Sequence, residues 1–565
     1  GVIKDDATVY SAAFIKQIMP ASTYDYKVWF KDYTQKFDLS VNGVTTAKTL
    51  SFVSSSKLSS SLWGSCFGQS LSGGLDVKTE SVTDGYKITL TPVSGALNLT
   101  QACTLMYDLN TSQILKARAG GDDGYAHNVI ISSMTIDGVN TPINSTCAAT
   151  GCKDPGNGYV NAGYYAQWAV WDREYNPNSM PFASINDIIY AFIGFDKDTG
   201  NLASLDGNAD SWSIPVVSKA ILQNPYMHAH LSFGGWTNNQ VNTAPMFLKL
   251  SSSQASMQNF ATQAVALMKK TKFSGLDIDW EWWSEPEQAP AKQMLSFYKI
   301  LRAELDKAGA ADGKHYTLTI AVNAGVDRVN AMQDPSNPNS VADYWKQVNT
   351  LVDQINLMSY DYHGAYDNSK PAYFHANYDF ANIPLDKQAD VGQTSGWSIK
   401  AVVAAYQANG ITAKKLVLGL PAYARTMSVS GGTNGGLLQA VSGAGFGDYE
   451  AGVLDYKCLV NPVADKANGC KNVSAGLSDL VFYNSKATGT ALSAFNTYGR
   501  DAMQPWAYSP STNTFVTFDD TWSVTAKTKA AKDSGLGGMM FWELDGDSNT
   551  PQLSLIKAVK DELNR

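Results

Sequence analysis

From about residue 159 onward, short apolar segments alternate with longer stretches of helical character. Segments of strand length fall at Val160–Trp168, Asp187–Phe195, His228–Phe233, Gly275–Glu281, Tyr316–Asn323, Gln354–Tyr360, Lys415–Pro421 and Gly537–Trp542. Between most of them the pattern reads as helix, as at Ser253–Lys270 and Gln288–Ala308. Strands that alternate with helices over residues 159–565 predict a closed (α/β)8 TIM barrel rather than an open sheet. The gap between the seventh and eighth strands is far longer than one helix requires. Residues 427–500, Gly-rich, are expected to form a small α+β insertion domain there.

Residues 1–150 follow a different pattern. Alternating segments such as Tyr86-Lys87-Ile88-Thr89-Leu90-Thr91 and Val129-Ile130-Ile131 are separated by turns at Ser72-Gly73-Gly74 and Gly120-Gly121-Asp122-Asp123-Gly124. Short strands with turn signals predict an all-β sandwich of the fibronectin III or immunoglobulin-like kind. Asp6 to Met19 reads as a helix or an ordered leader, and Cys147 to Gly158, rich in Gly, Pro and Asn, as a linker. A chain of 565 residues is expected to divide in this way, because a single core stops growing well below that length.

Composition narrows the partners. Charged residues are 17% of the chain, the net charge is −8, and no run of Lys and Arg is present. Nucleic acid would need a basic stripe, so a neutral substrate fits better. The apolar stretch Ile185 to Phe195 is broken by Asn186 and Asp187 and is too short to cross a bilayer, so no membrane insertion is expected. The chain opens at Gly1 without a signal peptide and reads as a mature form. Six cysteines lie in sequence-local couples, Cys66 with Cys103, Cys147 with Cys152 and Cys458 with Cys470. None forms a CxxC or has a histidine at ligand spacing, which argues against structural zinc. Disulfides suited to a secreted protein and free, partly buried thiols both remain open.

The chemical signal is Ser274-Gly275-Leu276-Asp277-Ile278-Asp279-Trp280-Glu281. Side chains alternate along a strand, so Asp277, Asp279 and Glu281 share the inner face while Leu276, Ile278 and Trp280 face the helices. Carboxylates in a row on an inward face are a poor way to stabilise a core. Their mutual repulsion raises at least one pKa, as a general acid requires. Glu281 also ends the strand, at the face where barrel active sites are built. The histidines carry no such signal; His228, His230 and His363 read as core or rim residues.

This segment closely resembles the DxxDxDxE signature of family 18 glycoside hydrolases, the chitinases. Ser232-Phe233-Gly234-Gly235-Trp236, Met358-Ser359-Tyr360-Asp361-Tyr362 and Gly537-Gly538-Met539-Met540-Phe541-Trp542-Glu543 are similar to further landmarks of that family, in the same order. Within it the chain looks most like the bacterial chitinase A type. The sequence departs from the motif at Ser274, where the family has its first Asp.

The resemblance implies a secreted chitinase that retains anomeric configuration by substrate-assisted catalysis. Glu281 would be the acid, Asp279 would orient the substrate acetamido group, Asp277 would share its proton, and Tyr360 and Asp361 would hold the acetamido oxygen and a hydroxyl. It implies substrate contacts at Tyr164, Ser232, Met358, Tyr423, Arg425 and Glu543, a hydrophobic floor at Trp542, and sugar-stacking faces at Trp168, Trp236 and Tyr366. The partner would be chitin or a chitooligosaccharide, with no metal or cofactor. Trp282 or Trp283 could also face the cleft. The other readings are a chitin-binding lectin on an inactive barrel, an endoglycosidase of N-glycan cores, and an active chitinase built into a larger, toxin-type assembly rather than a monomer.

Overall fold

Inside the barrel, every apolar strand has its two neighbours in parallel register. The computed structural model describes residues 46–54, 75–82, 85–98, 131–141, 153–238, 240–282, 288–380, 382–461, 470 and 476–565. The barrel strands are β1 (Val160–Ala166), β2 (Asp187–Ala191), β3 (His228–Gly234), β4 (Gly275–Asp279), β5 (Thr317–Asn323), β6 (Gln354–Met358), β7 (Leu416–Pro421) and β8 (Gly538–Trp542). They pair in sequence order, and β8 closes on β1. The strands are almost wholly buried, as a parallel sheet covered by helices demands.

Outward residues of the strands meet the helices. Leu276 and Ile278 of β4 are fully buried, and Trp280 just beyond stacks on Phe247 with ring centres 4.9 Å apart. Helix Gln254–Thr271 begins where the Ser253 side chain accepts from the Ser256 amide, and it stops at Lys272, which takes a left-handed conformation. Its buried face, with Phe260, Ala261, Ala264, Val265 and Met268, recurs at helical spacing. Helix Ala291–Asp312 ends on Gly313 at φ 63°, where a side chain would be strained.

The strand bodies agree with the sequence pattern, as do the C-terminal ends of β5, β7 and β8; those of β1, β2, β4 and β6 do not. The segment expected to run from Asp187 to Phe195 breaks at Phe192, whose ring stacks on Trp542 at 5.9 Å, and Ile193–Phe195 turns to pair antiparallel with Leu202–Ser204. Trp168, Glu281 and Tyr360 likewise lie beyond the last ladder pairs of β1, β4 and β6. Glu281 and Tyr360 at the barrel mouth thus sit just past their strands, whereas Trp542 still belongs to β8.

After β7 the chain builds an antiparallel sheet from Tyr423–Val429, Val441–Ala444, Val453–Asp455, Val481–Tyr483, Trp506–Ser509 and Thr514–Thr517. Its core includes Met427, Phe495, Trp506 and Phe515, with Trp506 stacked on Tyr483 at 4.8 Å. A disulfide joins Cys458 to Cys470. The other four cysteines, Trp29, Phe30, Trp63, the Asp6–Met19 segment and the two Gly-rich turns lie outside the described residues.

Of residues 1–150, the described part includes a five-stranded antiparallel sheet in the order Leu75–Val82, Gly85–Pro92, Leu50–Ser54, Ile131–Ile136, Val139–Thr141. Ile88 and Leu90 point into it, as their alternation predicts. Residues 153–158, expected to belong to a linker, are instead a turn docked under the barrel. Asp154 accepts from the amides of Gly156 and Gly158 and from the Asn186 side chain. No helix among the described residues is long and apolar enough to cross a membrane.

Candidate active site

The barrel interior is layered by register. One level holds His230, Gly275 and Thr317; the next holds Ser232, Asp277 and Thr319; the third holds Gly234, Asp279 and Ala321. This layering gives the two aspartates opposite surroundings. Asp277, fully buried, accepts from Tyr164 Oη at 3.0 Å, Ser232 Oγ at 2.6 Å, Thr319 Oγ1 at 2.6 Å and Asn356 Nδ2 at 3.5 Å. Burial pushes its carboxyl up, and the hydrogen bonds from Ser232 and Thr319, with the charge of His230, hold part of that rise back.

Asp279 has small neighbours in place of donors, and its Oδ1 has no hydrogen-bond partner among the described residues. Burial, then the charge of Glu281, then that of Asp277 push its carboxyl well above the usual range. Both carboxyls are pushed up, Asp279 the further of the two. Glu281 follows two residues on, half-buried at the C-terminal mouth. Gly234 makes this close packing possible: it sits at φ 122°, and a Cβ there would meet the Asp279 carbonyl oxygen at 1.9 Å.

A second group faces the first from β6 and the sheet after β7. The Asp361 carboxylate takes Arg425 Nε on Oδ1 and Arg425 Nη2 on Oδ2, both at 2.7 Å, and Tyr423 Oη on Oδ1 at 2.8 Å. Burial alone would raise this carboxyl; Arg425 and His375 outweigh it and hold Asp361 far below the ordinary carboxylate range. The neighbouring Tyr360 phenol is pushed up by burial and by the charges of Asp279, Asp361 and Glu281, so it stays a neutral donor. Met358 ends β6 half-buried beneath it.

Aromatic rings complete the mouth. Trp542, at the end of β8, lies 5.2 Å from Tyr164, 5.9 Å from Phe192 and 6.3 Å from Trp168, ring centre to ring centre. Trp168, Trp236 and Tyr366 are 37%, 50% and 61% exposed, unusual for such large rings. The Tyr366 hydroxyl donates to the Asp361 carbonyl, and Arg425 lies 5.5 Å from its ring centre. A cleft of about 610 Å³ runs past Trp168, Trp542, Asp361, Tyr423 and Arg425 toward Tyr449 and Glu450 of the antiparallel sheet.

Glu543, expected to contact substrate, is 7% exposed and paired with Arg173 at 3.2 Å. Arg173 also reaches Asp545 at 3.0 Å and Asp455 at 3.4 Å and lies over the Tyr449 ring. Asp448 and Asp455 come within ligand distance of Cys458, but that sulfur is spent in the disulfide, so the trio is not a metal site. Trp282 is buried with Arg328 over its ring and packs into the core; Trp283 lies outside the described residues.

Sequence reading singled out Tyr164, Ser232 and the carboxylates but missed Thr319, Asn356, His375 and Arg173. Thr319 and Asn356 were findable, since both are polar residues at inward positions of otherwise apolar strands. His375 and Arg173 come from loops, where no period marks an inward face.

The sequence profile of glycosyl hydrolases family 18 matches residues 160–547, which span the whole barrel. The chain belongs to that family. Among its family 18 relatives, Chitinase 1 of Aphanocladium album is 30% identical over 434 residues, 74% of this chain and 87% of that protein. Endochitinase 1 of Metarhizium robertsii (strain ARSEF 23 / ATCC MYA-3075) is 30% identical over 457 residues, covering 77% and 92%. The class V chitinase structure from Nicotiana tobaccum shares the fold, with a TM-score of 0.56 at 20% identity, over 72% of this chain and 99% of that one. Ser274, the departure from the family 18 motif, has a local explanation. Its Oγ accepts from the Ala229 amide at 3.2 Å at the start of β4, while Asp277 is satisfied entirely by other donors.

Proposed function

We propose that this chain hydrolyses β-1,4 linkages between N-acetylglucosamine units of chitin, with retention and with Glu281 as the acid. The observation that carries this reading is the column from buried Asp277 through Asp279, whose Oδ1 has no hydrogen-bond partner among the described residues, to half-exposed Glu281 at the barrel mouth. Asp361 is tied to Arg425 and Tyr423, and Glu543 to Arg173, so neither of these two cleft carboxylates is free to attack an anomeric carbon. Attack by the substrate's own acetamido oxygen needs no second carboxylate.

Glu281 would protonate the glycosidic oxygen and later deprotonate the water. Asp279 would turn to accept from the acetamido N–H, and as its proton passes toward Glu281, ionised by protonating the leaving oxygen, its carboxylate would steady the positive oxazolinium ring. Tyr360 would donate to the acetamido oxygen. Asp361 with Arg425 would fix a hydroxyl, and Met358, Tyr164 and Ser232 would shape and support the pocket. Trp542 would form the floor under the reacting sugar, with Trp168, Trp236 and Tyr366 as faces for the flanking rings. Glu543 would act through Arg173 rather than by direct contact, given its burial.

The reading extends to the whole chain. Residues 1–150 would form a β-sandwich, residues 159–565 the catalytic domain, and 427–500 an insertion that walls the cleft. The strands ahead of the barrel and the antiparallel sheet after β7 support a resemblance to the bacterial chitinase A type. The Cys458–Cys470 disulfide suits an extracellular protein.

The test is hydrolysis of chitin oligosaccharides by wild type and Glu281→Gln, with products resolved by mass and anomer. The wild type should release β-anomers, and the variant should lose activity by at least about a thousandfold. Binding without cleavage by the wild type would replace this reading with a lectin.

A further inference from the structure

Beneath Asp277 lies a titratable group that the reaction above leaves unused. His230, 3% exposed, sits between Asp187 of β2 and Thr317 of β5, with Nδ1 2.8 Å from Asp187 Oδ1 and Nε2 2.7 Å from Thr317 Oγ1. To reach Thr317 the imidazole fills the space where β4 has Gly275. A Cβ there would come within 2.8 Å of His230 Cδ2 and 2.3 Å of Thr317 Oγ1. The Thr317 hydroxyl also lies 3.2 Å from the Ser274 carbonyl, which can only accept. A hydroxyl that gives its one proton to Ser274 meets Nε2 as an acceptor. Asp187 accepts at Nδ1. A ring that donates from both nitrogens carries a positive charge.

We propose that His230 is a buried imidazolium, clamped by Asp187 and Thr317, that acts as a positioning residue by keeping negative charge on Asp277 and the proton on Asp279. This rests on the proposed reading of Asp279 and Glu281. The two levels are also linked by hydrogen bonds: Gln354 Nε2 lies 3.4 Å from Asp187 Oδ2 and 2.9 Å from Asn356 Oδ1, and the Asn356 amide reaches Asp277. The charged groups acting on His230 are Asp187, Asp277 and Asp353. Burial opposes the cation, and those carboxylates outweigh it. The cation in turn draws Asp277 back toward ionisation. Asp279, one level higher between Gly234 and Ala321, has no such counter-charge. The proton of the pair is thereby seated next to Glu281, where the acetamido group would meet it.

Two measurements test this. Nitrogen NMR of histidine-labelled wild type, from roughly pH 5 to 8, should show both His230 ring nitrogens protonated; a neutral ring in that range overturns the proposal. His230→Gln removes the charge and keeps a donor for the pocket. Its kcat should fall about tenfold with KM nearly unchanged, and its pH–rate profile should move up by about one unit, because nearby carboxyls lose a stabilising cation. Asp187→Asn should shift the profile the same way, and the double variant no further. A lower Tm with the profile unmoved in both single variants would mean a merely structural role, and the proposal fails. Failure of the underlying reading is separable: it shows as wild-type activity in Glu281→Gln, whatever charge the His230 ring carries.

Discussion

Asp361 and Arg425 form an ion pair whose two members depend on each other. The two-pronged contact fixes the carboxylate plane, and Tyr423 fixes its rotation. Asp361→Asn keeps the size and loses the charge, leaving Arg425 without a counter-ion in a half-buried place. We expect kcat/KM for chitin oligosaccharides to fall about a hundredfold, with a lower Tm. Adding Arg425→Met should restore much of the Tm and none of the activity; recovery of activity would show that Asp361 does no more than balance Arg425. The same pair shows what the sequence discloses. Asp361 stood in a recognisable motif, and Arg425 was placed by resemblance. Their partner His375, 3.5 Å away, comes from a long irregular stretch with no pattern to mark it.

At the scale of elements, Gly275 is one of the places where the barrel interior leaves no room for a side chain. The Thr317 carbonyl oxygen would lie 2.2 Å from any Cβ at that position, so Gly275→Ala must push β4 away from β5. We expect a stability loss of about 1–3 kcal/mol or more by denaturant unfolding, far beyond the propensity difference between the two residues. An unchanged midpoint would mean that the strands part without strain. Strand bodies were legible because a buried parallel strand is mainly apolar, and the eight segments are, with polar residues such as Asp277, Thr319 and Asn356 at inward positions. The ends of β1, β2, β4 and β6 were not legible. Phe192 is as apolar as its neighbours, yet it leaves the ladder to stack on Trp542, a residue 350 positions later in the chain. The sheet after β7 was only partly legible, since strands of three or four residues in a Gly-rich segment show too little alternation.

For the whole molecule, Arg173 bolts the barrel to the antiparallel sheet. It joins Glu543 and Asp545 after β8 with Asp455 and Tyr449 of the sheet. Burial, with Asp545 as the leading charge, pushes Glu543 up to about 8; burial, with Asp455, pushes Asp448 up to about 7. In the unfolded chain both titrate near 4. From about pH 4.5 to 8 the folded protein therefore holds protons that the unfolded chain has released, so these groups make stability fall as pH rises. Tm measured across that window should decline more steeply in wild type than in Glu543→Gln. Parallel curves would remove Glu543 from the account.

The turn under the barrel has a consequence for how the chain is strung. Asn157 donates to the Leu563 carbonyl, and Asn564 donates to the Pro155 carbonyl. The first and last residues of the barrel are thus fastened together on the face opposite the mouth. Chain enters and leaves at one spot, like a bead hung from a single knot. Polypeptide joined at either end therefore starts from the back, on the side away from the opening.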